Sequence, residues 1–177
     1  MLSILAIIAA IVFAAIVVIA IVASHRPDSF RVERSAVIAA PPERLQPMIS
    51  DLRTFNEWNP YRRKDPGMKE EYGTATAGPG ATYAWDSSQV GAGRMTVETV
   101  APDRVTMRLD FARPFKATNL AEFTLRPEGN GTRVTWAMRG RANFVSKVMQ
   151  VFMDFDAMIG NDFADGLANL RTLAERR

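Results

Sequence analysis

The amino-acid sequence predicts an α+β protein in which an antiparallel sheet curls around a C-terminal helix, preceded by one helix long and apolar enough to span a bilayer. Three observations lead there. Residues 1–23 carry no charge. Six segments between residues 68 and 140 alternate apolar and polar side chains, with turn signals between them. An apolar stripe at helical spacing runs from about residue 143 to 175.

The first segment, MLSILAIIAAIVFAAIVVIAIVA, has Ser3 as its only polar side chain. As a helix it would be about 34 Å long, enough for a hydrocarbon core. A secretory signal peptide is the rival reading, but it calls for a basic n-region, a shorter apolar run and a small-x-small cleavage site. No Lys or Arg precedes Arg26, and IVASH is a poor cleavage site. The expectation is therefore an uncleaved single-pass anchor over 1–23, a polar linker over 24–29 and one folded domain over 30–177. Arg26, Arg31 and Arg34 follow the span. The positive-inside tendency favours the cytoplasmic side for them.

The 22 basic and 19 acidic residues give a net charge of only +3, and Arg62, Arg63 and Lys64 form the single basic run. That run reads as a solvated loop, with lipid headgroups as an alternative contact, and no nucleic-acid partner is expected. Cysteine is absent and His25 is the sole histidine. The usual zinc and haem sites, and Ser-His-Asp or Cys-His catalysis, are thereby excluded, and no cofactor is expected.

After the SHRPDS linker, FRVERSAVI reads as a strand. APPERLQPMISDL follows, with prolines placed where a helix can begin but not continue. TFNEWNPY is a short helical or looped piece. The strand-like segments are MKEEYG, ATYAWD, GRMTVETV, RVTMRLDF, LAEFTLRP and TRVTWAMRG, separated by turns such as GPG, APD and PEGNG. Connections this short make neighbouring strands antiparallel. In RVTMRLDF, Val105, Met107, Leu109 and Phe111 share one face; Val134, Trp136 and Met138 do so in TRVTWAM, and Tyr83 and Trp85 in ATYAWD. The dry face of the sheet is thus dense in aromatics and methionine. The C-terminal segment is the cover left for it, with Phe144, Val148, Phe152, Phe155, Ile159, Phe163, Leu170 and Leu173 on one stripe.

This order of elements, together with FRVERSAVIAAPPERLQPMISDL, FNEWNPY, GPGATYAWDSSQVGAGRMTV, GTRVTWAMRG and FDAMIGNDFADGLANL, resembles the START-like superfamily, also labelled SRPBCC or polyketide cyclase/dehydrase-like. The resemblance runs from Phe30 to Arg177 and leaves the N-terminal span outside it. It implies a helix-grip fold, in which a curved sheet of about seven strands grips the long terminal helix around a hydrophobic cavity. The superfamily includes lipid carriers, hormone receptors, ring-forming enzymes and activators of chaperone ATPases, so fold does not settle function.

The expected cavity residues are Trp58, Tyr61, Tyr83, Trp85, Met95, Met107, Phe111, Phe123, Trp136, Met149, Phe152, Phe155 and Ile159, with Asn119 and Asp86 as possible polar groups. FNEWNPY is expected at the cavity mouth. On the terminal helix Asp154 and Asp165 fall outside the apolar stripe, Asp156 lies on its border and Asp162 projects within it. Asp154 and Asp156 point about 200° apart and cannot act together. Asp162 is expected to bond a backbone group or an arginine of the sheet; the alternative is that Asp162 or Asp156 is the polar contact that orients a ligand, or a general acid or base. Asn130-Gly-Thr reads as a hairpin turn rather than a glycosylation site. Three functions stay open at this point: a membrane-tethered binder of a lipid-like or other apolar small molecule, a polyketide cyclase/dehydratase-type enzyme, and a ligand-free interaction module whose protein partner is not legible.

Overall fold

The computed structural model describes residues 2–142 and 144–176. The expected bounds at Met1, Asn143 and Arg177 lie outside them. Helix α1 (Leu2–Ser24) is followed by strand β1 (Ser29–Ile38) and three short helices: α2 (Pro42–Ser50), α3 (Leu52–Trp58) and α4 (Pro60–Lys64). Strands β2 (Lys69–Tyr72), β3 (Thr82–Ser87), β4 (Gly91–Ala101), β5 (Arg104–Arg113), β6 (Ala117–Glu128) and β7 (Gly131–Arg141) come next. The chain closes with α5 (Phe144–Phe152) and α6 (Phe155–Ala174).

The seven strands form one antiparallel sheet in the order β1-β7-β6-β5-β4-β3-β2. Strand β1 returns beside β7, so a sheet built mostly of sequential hairpins gains its last edge from the start of the domain. Register shifts at Ala92/Gly93 and Val97/Thr99 bend β4, as bulges do. This supports the curl that brings the dry face around α6. Val105, Met107, Phe123, Leu125, Val134 and Trp136 on that face are buried, and Phe163, Leu167 and Leu170 of α6 meet them.

The corner between α2 and α4 is built by local chemistry. Pro42 occupies the first turn of α2, where its missing N–H costs nothing, yet the helix also runs through Pro47. One backbone bond is given up there, and burial of Leu45 and Ile49 holds the turn in place. Asp51 caps α3 by accepting from the Arg53 N–H at 2.9 Å. Asn59 ends α3 and caps α4, accepting from the Tyr61 N–H at 3.2 Å. FNEWNPY is therefore two short helices hinged at one asparagine.

One expectation is corrected. The C-terminal segment is not one helix, because it breaks at Met153 and Asp154. Asp154 is exposed, as expected of a residue outside the apolar stripe, but it starts α6 and does not lie within one continuous helix. Its carboxylate accepts from the Ala157 N–H at 2.9 Å and satisfies an amide that the helix start leaves open.

Candidate functional site

Between the sheet and α6 lies a cavity of ≈ 200 Å³. Two aromatic groups contribute to its wall. Phe55, Phe123 and Trp136 pack around the buried Trp58, with Phe163 stacked on Trp136 at 4.2 Å and Phe123 at 5.0 Å from Trp136. Tyr83, Trp85 and Phe111 form the other group, 6.2 Å and 5.7 Å apart in succession. Gly93 makes room for it, since a Cβ there would stand 2.7 Å from the Trp85 ring. Met68, Met95, Met107 and Met138 also line the space and supply adaptable apolar surface.

Asn59 and Tyr83 on this wall are already partnered, whereas the buried indole N–H of Trp136 has no partner among the described residues. Asn59 donates through Nδ2 to Asn56 Oδ1 at 3.1 Å, and Asn56 in turn donates to the Tyr72 hydroxyl at 2.9 Å. The Tyr83 hydroxyl donates to Glu70 Oε1 at 2.8 Å. Burial first, and then the adjacent Glu70 carboxylate, push the Tyr83 phenol well above the ordinary tyrosine value. Tyr61 is shifted the same way, by burial and by the carboxylate of Asp162 beside it. Both phenols stay protonated through the physiological range.

Asp162 itself accepts from Lys64 Nζ at 2.5 Å, and its side chain is largely covered. It ties α4 to α6, so its charged partner is a helix lysine and not an arginine of the sheet. Arg63 reaches Asn169 Oδ1 at 2.8 Å, and Arg62 pairs with Glu70 at 3.2 Å. The basic run expected as a solvated loop is therefore a set of three ties, two to α6 and one to β2.

Of the residues expected at the cavity, Tyr61, Tyr83, Trp85, Met95, Met107, Phe111, Phe123, Trp136 and Ile159 line it. Trp58 does not: it is fully buried behind the wall, and its indole N–H donates to the Met48 carbonyl at 2.9 Å. Met149 and Phe152 belong to α5, which the break at Met153–Asp154 separates from α6, and neither lines the cavity. Phe152 is 69% exposed. Phe152, Phe155 and Asp156 border a second, open crevice between the linker, β1 and the α5–α6 elbow. Asp156 is held there by Arg34, whose Nη2 lies 2.9 Å from its carboxylate and holds it below the usual carboxylate range. α6 passes so close to Arg34 that a Cβ at Gly160 would collide with the guanidinium.

Asp86 is exposed and paired with Arg113. Asn119 is buried, with Nδ2 toward Met138 Sδ, but is not part of the wall. Phe55 and Asn59 of FNEWNPY, the segment expected at the mouth, line the cavity, as do Met68, Val90, Leu109, Ala121, Met138 and Phe163, which the expected set does not include. Strand alternation already put Leu109 and Met138 on the dry face, and the apolar stripe held Phe163. Met68 and Val90 sit outside regular strands, where no periodicity applies.

The family model described as polyketide cyclase / dehydrase and lipid transport matches residues 29–175. The chain belongs to that family. Solved structures agree with this family's fold. Protein CV1439 from Chromobacterium violaceum is similar at 18% identity with a TM-score of 0.60, over 86% of this chain and 100% of that one. Protein MLL2253 from Mesorhizobium loti is similar at 19% identity and TM-score 0.60, over 83% and 98% of the two chains. The Aha1 dimer from Colwellia psychrerythraea gives 16% identity and TM-score 0.58, over 82% and 96%. Likeness at this level shows the helix-grip fold alone. No curated protein matches the chain. The family match begins at the first residue of β1, so it leaves α1 outside. α1 is long and apolar enough to cross a membrane, a property that signal sequences share.

Proposed function

We propose that this chain is a membrane-anchored carrier, sensor or shield that takes the apolar part of a small amphiphile or lipid into the cavity between the sheet and α6. The observation that carries the reading is the cavity itself, left open among aromatics and methionines, with Asn59 and Tyr83 of its wall bonded within the protein and the Trp136 indole N–H left as a buried donor without a partner among the described residues. Such a wall rewards burial of hydrocarbon and asks little of the ligand in hydrogen bonds. Its ≈ 200 Å³ exceeds the ~150 Å³ of a cavity that admits benzene and falls short of the ~300 Å³ at which drug-sized sites begin. A ring or a short acyl segment fits that space. A whole lipid does not, so a headgroup would stay outside.

In this reading residues 1–23 anchor the protein, 24–29 link, and 30–177 bind. Tethering holds the cavity beside the phase into which an apolar ligand partitions, which raises its local concentration. An enzyme of the cyclase or dehydratase type is less well supported. The titratable side chains on the described wall, Tyr61 and Tyr83, hold their protons too firmly to serve as bases. A ligand-free interaction module has no use for the open space.

The test is mass spectrometry of organic extracts from the full chain purified in mild detergent, with titration of the apolar probe anilinonaphthalene sulfonate. A stoichiometric amphiphile that displaces the probe is the expected result. An empty protein that takes up neither probe nor extracted lipid would overturn the reading.

A further inference from the structure

The polarity of α5 is inverted. Phe144, Val145, Val148, Met149 and Phe152 fall within one arc of this helix, and Phe144, Val145 and Phe152 are exposed. Its one buried residue is Lys147, whose ammonium pairs with Asp28 of the linker. Gln150 on the same side has a buried Nε2 with no partner among the described residues. A helix that turns its charge inward and its phenylalanines outward is built for a non-aqueous surrounding. α1 packs against this helix.

The sheet register shows what else lies at that end of the domain. Ser29, where β1 begins, pairs with Arg141, and Gly140 pairs with Asn119. Ala117 pairs with Phe111, Arg113 with Ala92, and Ser87 with Gly91. The β3–β4 and β5–β6 hairpins therefore sit at the same end of the sheet as the exit of α1. The half-buried cavity residues Trp85, Val90 and Phe111 lie at or beside these hairpins, and Phe115 at the tip of the second is 48% exposed. The chain between α1 and β1 is residues 25–28, at most about 14 Å even when extended. Arg26, Lys116 and Arg141 are exposed at this end.

We infer that the outward face of α5 and the Phe115 hairpin rest on the bilayer that holds α1, so that the cavity opens onto the lipid surface and takes its ligand from there. The occupant of the apolar face is the bilayer, because the anchor leaves the domain too little tether to stand away from it and basic side chains flank the contact. The inference rests on the anchor reading above and adds the docking face and the route of entry.

The absence of cysteine makes the test direct. Single variants Ile11→Cys, Val145→Cys, Phe152→Cys, Phe115→Cys and Asn130→Cys of the full chain are labelled with an environment-sensitive fluorophore. They are then reconstituted in phosphatidylcholine/phosphatidylglycerol vesicles carrying both shallow and deep acyl-chain nitroxide lipids. Labels at 145, 152 and 115 should lose most of their emission, like the label at 11 in the anchor and unlike the label at 130 on the opposite hairpin. Quenching at 11 with emission at 145, 152 and 115 equal to that at 130 would overturn the docking and leave the anchor standing. No quenching at 11 would overturn both. Labels at 145 and 152 that resist aqueous iodide as well as lipid nitroxide would show that a protein surface covers α5, which also overturns the inference.

Discussion

Trp136 of β7 and Phe163 of α6 lie ring on ring, 4.2 Å between centroids and 10° from parallel. Through this contact the sheet holds the helix that closes the cavity, and both rings belong to the cavity wall. Phe163→Ala should lower unfolding stability by about 3–5 kcal/mol, the usual cost of removing a buried phenylalanine. Denaturant unfolding followed by Trp fluorescence measures it. A loss below about 1 kcal/mol would mean that the helix is held elsewhere.

One turn along α6, Gly166 is what lets the helix approach so closely. An added Cβ would stand 2.7 Å from the Trp136 ring and 3.0 Å from Pro60. In an ordinary helix interior Gly→Ala gains about 1 kcal/mol. Here the neighbours are a buried ring and a proline, which cannot move aside, and overpacking costs about 1–3 kcal/mol. Gly166→Ala should therefore lower the melting temperature, and a rise would refute the close approach.

Ala121 lines the cavity between Met107 and Met138 in the sheet register. Ala121→Phe should fill the space and abolish uptake of an apolar probe, while Asn130→Asp, exposed on the β6–β7 hairpin at the far end of the sheet, should leave uptake unchanged. A fluorescence titration of the two variants separates them. Retained uptake in Ala121→Phe would locate the probe site outside the cavity.

Stability should fall at alkaline pH. Below pH 10 the tyrosines of folded and unfolded chains alike hold their protons; above it the unfolded chain releases them, while burial keeps those of Tyr83 and Tyr61 in place. The unfolded state then binds fewer protons, so its relative free energy drops as pH rises. Denaturation midpoints at pH 9 and pH 11 test this, and Tyr83→Phe should flatten the difference. An equal pH dependence in wild type and variant would remove Tyr83 as its source.

The two helix aspartates should separate cleanly. Asp162→Ala removes the tie from α6 to Lys64 and should cost about 1 kcal/mol, the range of a partly buried charged hydrogen bond reduced by the exposure of the lysine. Asp154→Asn keeps a capping side chain and should change little, whereas Asp154→Ala should cost about 1 kcal/mol. Thermal unfolding of the three variants checks the order.

The sheet was legible in the sequence because strand alternation reports directly on which face is dry. Alternation alone puts Val105, Met107, Val134, Trp136, Tyr83 and Trp85 on that face, and the short turns impose antiparallel pairing. The sheet side of the cavity wall is legible only in part, since a sheet residue on the dry face either fills the core or lines the space. Which of these it does depends on what stands opposite. Trp58 fills the core because Met48 and Phe55 close around it.

Composition and short-range period account for the apolar N-terminal helix, the seven strands with their inward faces and the lack of cysteine ligands and nucleophiles. Tertiary structure alone decided the break at Asp154, the outward turn of α5 and the pairing of Lys64 with Asp162. An aspartate that caps a helix and one on the exposed side of a continuous helix share the same spacing, and only packing against β1 and α1 distinguishes them. The stripe from Phe144 to Leu173 obeys one period, but a helix break lets its two halves face different surroundings. No local pattern records that rotation.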